Sequence, residues 1–139
     1  MGNTKKPYVI GLDLGGTNSV FGIVDAEANI VASTSVKTQG HKDVNDYVDN
    51  CCAALQPLID KVGGIEKIQA MGIGAPNGNY YTGCIEFAAN LPWKEQVPLA
   101  RMFRERLGVP VVLTNDANAA AIGEMTYGVA RGMKNFIMI

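Results

Sequence analysis

The chain has 139 residues, 47% hydrophobic and 18% charged, which is enough apolar material for one domain with its own core. Its net charge of −1, with 12 Lys and Arg scattered rather than clustered, argues against a nucleic-acid surface. No apolar run approaches the roughly 18 residues of a membrane span, and the start, Met1 to Pro7, has no apolar signal region, so a cytoplasmic protein with no membrane partner is expected.

Tyr8–Leu14, Asn18–Asp25 and Ile30–Lys37 are rich in Val, Ile, Phe and Thr and joined by short links, Gly15-Gly16 and Glu27-Ala28-Asn29, which predicts an antiparallel three-strand meander. The solitary His41, beside Gly40, belongs to a polar connection, so His-based catalysis is not expected. Val44, Tyr47, Val48, Cys51, Leu55, Leu58, Ile59 and Val62 then recur at three- and four-residue steps. They predict a helix from Asp43, its N-cap, to about Lys61. Pro57 lies inside that pattern and removes the bond to the Ala53 carbonyl, so a kink or an ending near Gln56 is expected. The three cysteines, Cys51, Cys52 and Cys84, form no C-x-x-C pair and read as reduced core residues rather than a disulfide frame or zinc site.

Ile68–Gly74 reads as a buried strand, and Ala75 to Gln96 as a long connection with a hairpin turned at Thr82-Gly83. Pro98 opens a helix through Leu107, with Leu99, Met102, Phe103 and Leu107 inward, and Gly108 stops it. Pro110–Thr114 is another buried strand. From Asn115 the chain is helical again and crowded with Ala117, Ala119, Ala120, Ala121 and Gly123. Strand and helix alternate after the meander, so the fold class is α/β, a mixed sheet whose later strands are parallel and flanked by helices. Phe136 to Ile139 begins another strand without a turn or cap, which suggests a truncated chain whose exposed end pairs with another copy, a homo-oligomer.

Two segments carry chemistry. Asp13-Leu14-Gly15-Gly16-Thr17-Asn18 places two glycines between strands, where the backbone can approach a ligand and aim several N–H groups at phosphate oxygens. Thr17 and Asn18 add donors, and Asp13 at the strand end can hold Mg²⁺, usually through water. The same residues also make good hairpin chemistry. They are neither a Walker loop, since no Gly-Lys-Ser/Thr follows, nor a Rossmann fingerprint, since a strand comes next. The second segment is Thr114-Asn115-Asp116 at the end of the Pro110–Thr114 strand, where α/β sheets collect ligands. Asp116 at a helix N-terminus stays ionised and could take a proton from a sugar hydroxyl; it could equally be an N-cap.

Asp13 to Asn18, Gly72-Ile73-Gly74-Ala75-Pro76, Asn90-Leu91-Pro92-Trp93 and Asn115 to Glu124 stand in the order and spacing of the ROK family of sugar kinases and repressors, which the chain resembles over nearly its whole length. The resemblance implies the N-terminal lobe of a two-lobe, glucokinase-like enzyme with the actin-like, ribonuclease-H-like ATPase fold, occupying residues 1–139. It implies ATP and Mg²⁺ as cofactors and a hexose as substrate, phosphorylated at the 6-hydroxyl of what is expected to be glucose. By position, Asp13 resembles the Mg²⁺-associated aspartate, and Gly15, Gly16, Thr17 and Asn18 the first phosphate loop. Asn115 resembles a sugar-hydroxyl ligand, Asp116 the catalytic base, and Asn77 and Asn90 candidates for the sugar pocket. Asn-Leu-Pro-Trp could also be a rigid turn anchored by Trp93, and Glu124 could be structural.

One departure is Pro76-Asn77, with Gly78 one place later, where the family usually has Pro-Gly. The second phosphate loop, the adenosine pocket and the family's zinc site would lie beyond Ile139, so the isolated chain is expected to be inactive. Family repressors carry a helix-turn-helix ahead of the kinase-like part; here seven residues precede the first strand, which favours a kinase over a repressor or a non-catalytic sugar-binding module.

Overall fold

The computed structural model describes residues 7–25, 27, 29–40, 43–79, 81–86 and 96–115. Expectations for His41, Asn90, Trp93, Asp116, Glu124, the helix after Asn115 and the strand Phe136 to Ile139 lie outside these residues.

Strands β1 (Tyr8–Leu14), β2 (Asn18–Val24) and β3 (Ile30–Lys37) form the expected meander. Leu12 pairs with Phe21 and Phe21 with Thr34, both antiparallel. Asp25 fixes the second link, its carboxylate accepting the Glu27 and Asn29 amides at 2.9 and 3.0 Å. Helix α1 (Val44–Lys61) follows, its first turn capped by Asp43, whose side chain accepts the Asp46 amide at 3.1 Å. Such a cap contributes about 1 kcal/mol.

Pro57 does not end the helix, which runs four residues further to Lys61. Ala53 and Pro57 are both exposed, so the carbonyl deprived of its partner faces water rather than the core. Leu55 and Ile59, on the other side of the helix, stay fully packed and hold the last turn in place. Gly63 and Gly64, both with left-handed φ, then turn the chain back, the Gly64 amide closing on the Ile59 carbonyl at 2.8 Å.

After a one-turn 3-10 helix (Ile65–Lys67) come β4 (Ile68–Gly74), the small hairpin β5 (Gly78–Asn79) and β6 (Cys84–Ile85), helix α2 (Leu99–Leu107) and β7 (Val111–Thr114). The order in the main sheet is β3-β2-β1-β4-β7, with β1, β4 and β7 parallel. A parallel pair needs a covering crossover, and α1 and α2 are those crossovers.

Because side chains alternate across a strand, register divides the sheet into two faces. Ile10, Leu12, Leu14, Phe21, Ile23, Met71, Ile73 and Leu113 share one face and pack with Tyr47, Val48, Cys51, Leu55 and Ile59 of α1 and Phe103 of α2 in a single cluster. Burying each large apolar side chain stabilises the fold by about 1.5–3 kcal/mol. The opposite face is shallow. Val9, Val24 and Ala70 form a small cluster there, and Gly11 pairs with both Gly22 and Gly72. Two of the cysteines, Cys51 and Cys84, are buried, Cys52 is half-buried, and all three are free thiols. Among the described residues no helix is long and apolar enough to cross a membrane.

Candidate active site at the carboxyl edge of the sheet

Register brings the two chemically loaded segments to one edge. Asp13 is paired with Gly74 and Gly74 with Thr114, so the ends of β1, β4 and β7 are level. With strands spaced about 4.8 Å apart, Asp13 and Thr114 are about 10 Å apart across the edge. Both belong to the shallow face by alternation, and Asn115 follows directly.

The Gly15–Asn18 turn is held from one side. The Thr38 hydroxyl donates to the Gly15 carbonyl at 2.7 Å, Gln39 Nε2 to the Gly16 carbonyl at 2.6 Å, and the Thr38 amide to the Thr17 carbonyl at 2.8 Å. In a planar trans peptide the N–H points opposite to the C=O. The amides of Gly16, Thr17 and Asn18 therefore point away from Thr38 and Gln39, the arrangement that suits an anion. Thr17 and Asn18 are exposed. Gly15 has no left-handed φ; its glycine answers a close approach, since a Cβ there would lie 2.8 Å from the Asn18 carbonyl oxygen.

Across the edge, an open cleft of ≈ 550 Å³ is lined by Asn77, Gly78, Asn79, Tyr81, Glu86, Thr114 and Asn115. The hairpin that walls it is self-supporting. Asn77 Nδ2 donates to the Glu86 carbonyl at 3.0 Å, and Asn79 Nδ2 lies 3.3 Å from each Glu86 carboxylate oxygen. Gln96 Nε2 donates to the same carboxylate at 3.3 Å. Asn77 has φ 56, the one left-handed non-glycine among the described residues. Asn tolerates that region better than other side chains, which explains how it can stand where the resemblance leads one to expect glycine. Gly78 is sterically required: a Cβ would come within 2.5 Å of the Thr114 carbonyl oxygen.

Among the described residues no group of three or more His, Cys, Asp or Glu is arranged for a metal. A single carboxylate nevertheless suits Mg²⁺, which keeps several waters and takes its other ligands from substrate phosphates. Half-buried Asp13, at the head of the Gly15–Asn18 turn, is a fit for that role.

A profile described as the ROK family matches residues 9–139. The chain belongs to the ROK family. Its relatives include a glucokinase of Streptomyces coelicolor, 39% identical over 131 residues that cover 94% of this chain and 39% of the relative. A xylose repressor of Caldicellulosiruptor bescii is 29% identical and is matched over 91% of this chain and 32% of the repressor. Among solved structures, the ROK family glucokinase of Streptomyces griseus in complex with glucose and AMPPNP superposes with a TM-score of 0.66 at 37% identity, covering 87% of this chain and 37% of the other. The fold is thus that of the ROK sugar kinases, the actin-like ATPase fold. This ROK chain spans about two fifths of the length of the curated relatives it matches, the coverage being 39% and 41% for two glucokinases.

Sequence reasoning passed over Ser19, Thr38, Gln39 and Glu86, and took Tyr47 only as a core position of the helix. A signal for two of them existed: once β2 and β3 are read as a hairpin, Asn18 must face Lys37, which carries Thr38 and Gln39 to the glycine turn.

Proposed function

We propose that residues 1–139 are one lobe of an ATP-dependent hexose kinase, glucose being the first candidate substrate, and that this lobe supplies the base and the first phosphate turn. Asp116 takes the proton of the sugar 6-hydroxyl as that oxygen bonds to the γ-phosphorus and the bond from phosphorus to the β–γ bridging oxygen breaks, leaving ADP and hexose 6-phosphate. Asn115 orients the sugar through a hydroxyl, with Asn77 and Asn90 lining the pocket. Asp13 would hold Mg²⁺, which neutralises charge on the transferred phosphate when bound. The amides of Gly16, Thr17 and Asn18 and the side chains of Thr17 and Asn18 donate to the phosphate oxygens.

The observation that carries the reading is the level register of Asp13, Gly74 and Thr114, which sets the turn and the Asn115 cleft at one edge. The kinship with glucokinases supports the same assignment. Phosphoryl transfer depends on positioning and exclusion of water, so a second lobe must close on this one, and the 139-residue chain alone should not turn over. The test is a coupled ATP-consumption assay on the complete, two-lobed protein with a panel of hexoses. ADP release that requires a hexose is expected; release independent of every sugar, or none, contradicts the proposal.

A further inference from the structure

Beneath the glycine turn lies a chain of buried hydroxyls. The Tyr47 hydroxyl is 2.6 Å from Ser19 Oγ, Ser19 Oγ is 2.7 Å from Thr38 Oγ1, and Thr38 Oγ1 donates to the Gly15 carbonyl at 2.7 Å. All three residues have no solvent exposure, the relative areas being 0%. Each hydroxyl has one proton, which fixes the direction. Thr38 spends its proton on Gly15, so Ser19 must donate to Thr38 and Tyr47 to Ser19. Cys51, one turn further along the same helix, interacts with the Tyr47 side chain. Burial pushes the Cys51 thiol up to about 12 and raises the Tyr47 phenol as well, so both groups keep their protons at neutral pH.

The relay ends on an atom that matters. The Gly15 carbonyl belongs to the peptide whose N–H, that of Gly16, faces the open side of the turn. An error of orientation at Gly15 is therefore transmitted directly to the donor array. Sequence separation makes the arrangement unusual: Thr38 lies 23 residues from Gly15, and Tyr47 lies 28 from Ser19. Helix α1 is thus wired to the turn through the core rather than through its neighbours in the chain. Buried polar groups that are fully satisfied rigidify, and leaving one unpaired is costly, so the relay admits few alternative turn conformations.

Accordingly, we infer that Thr38, Ser19 and Tyr47 are positioning residues for nucleotide binding, setting the phosphate turn without touching the phosphate; the inference rests on the kinase reading above. Its test uses the complete kinase and two ligands measured separately by titration calorimetry, MgADP and glucose, together with the KM for each substrate and the melting temperature. Thr38→Val keeps the shape and deletes the hydroxyl. Affinity for MgADP should fall about tenfold, the usual scale for losing one buried hydrogen bond, with the glucose constant unmoved. Thr38→Ser, which retains the hydroxyl, should restore MgADP affinity. Tyr47→Phe, at the far end, should give a smaller loss, and it carries the test if Thr38→Val does not fold.

A Thr38→Val or Tyr47→Phe protein with lowered melting temperature but parental MgADP affinity would overturn the inference, because a purely structural residue behaves that way. Equal losses for glucose and MgADP would overturn it too. A parent protein that binds neither MgADP nor glucose would instead remove the kinase reading, and the inference with it.

Discussion

The Gly15–Asn18 turn and the Asn77–Glu86 hairpin close the same edge of the sheet and are built in opposite ways. The turn is braced by Ser19, Thr38 and Tyr47, none with any exposed surface, whereas Tyr81 in the hairpin is 93% exposed. Changing a residue under the turn strands a buried polar group at a cost of about 1–3 kcal/mol; the hairpin's side-chain bonds compete with water and count for less. One end is rigid by construction, and the other can change its exposed side chains cheaply. That division suits the proposed kinase, in which the turn would meet the phosphate and the hairpin the sugar.

The largest effect should come from the proposed base. Asp116→Asn in the complete enzyme should lower kcat by about 10²- to 10⁴-fold with little change in hexose affinity, as steady-state kinetics with calorimetry would show. Near-parental turnover would remove Asp116 from the chemistry. Next comes Gly78→Ala, which sharpens the comparison by attacking the hairpin where its backbone meets β7. Its Cβ would fall 2.5 Å from the Thr114 carbonyl oxygen, so chemical denaturation should report a loss of about 1–3 kcal/mol. No loss would mean that the hairpin moves freely off β7.

Asp13→Asn probes the rigid end. It should raise the Mg²⁺ concentration needed for half-maximal rate about tenfold, and overlaid Mg²⁺ titrations of variant and parent would leave Asp13 a turn residue only. A smaller effect concerns the buried brace itself. The Cys51 thiol is raised from 9.0 to about 12 by burial, so its stabilisation is complete below pH 9.0 and is lost as pH rises through about 12. Denaturation midpoints should fall across that window, and Cys51→Ala should flatten the slope. Parallel slopes would show that the thiol is not protected in the fold.

Most of the architecture was legible because it rests on local periodicity. The Val, Ile and Phe content of β1 and β2 with their short joins, the three- and four-residue steps of α1, and the Pro98 and Gly108 ends of α2 are written in neighbouring residues. Of the two outcomes expected at Pro57, the ending near Gln56 did not occur, because the rule concerns a lost bond and the cost of that loss depends on whether the Ala53 carbonyl meets water, a tertiary fact. The site divides similarly. Asp13, the glycines and Asn115 stand at strand ends and could be found by motif, but Ser19, Thr38 and Tyr47 resemble any core-lining polar residues until the fold brings them together. Asn77 could be recognised as out of place, yet its left-handed φ of 56 was visible only in the structure.

The division of labour between the two ends is tested most directly by measuring both Michaelis constants in two variants of the complete enzyme, Gly15→Ala and Asn77→Ala. The first places a Cβ 2.8 Å from the Asn18 carbonyl oxygen in the Gly15–Asn18 turn. The second removes the amide that holds the Glu86 carbonyl at 3.0 Å in the cleft wall. Gly15→Ala should raise the KM for MgATP about tenfold and leave the hexose constant in place, and Asn77→Ala should do the reverse by a smaller factor. Both variants moving the same constant, or each moving both, would contradict the account.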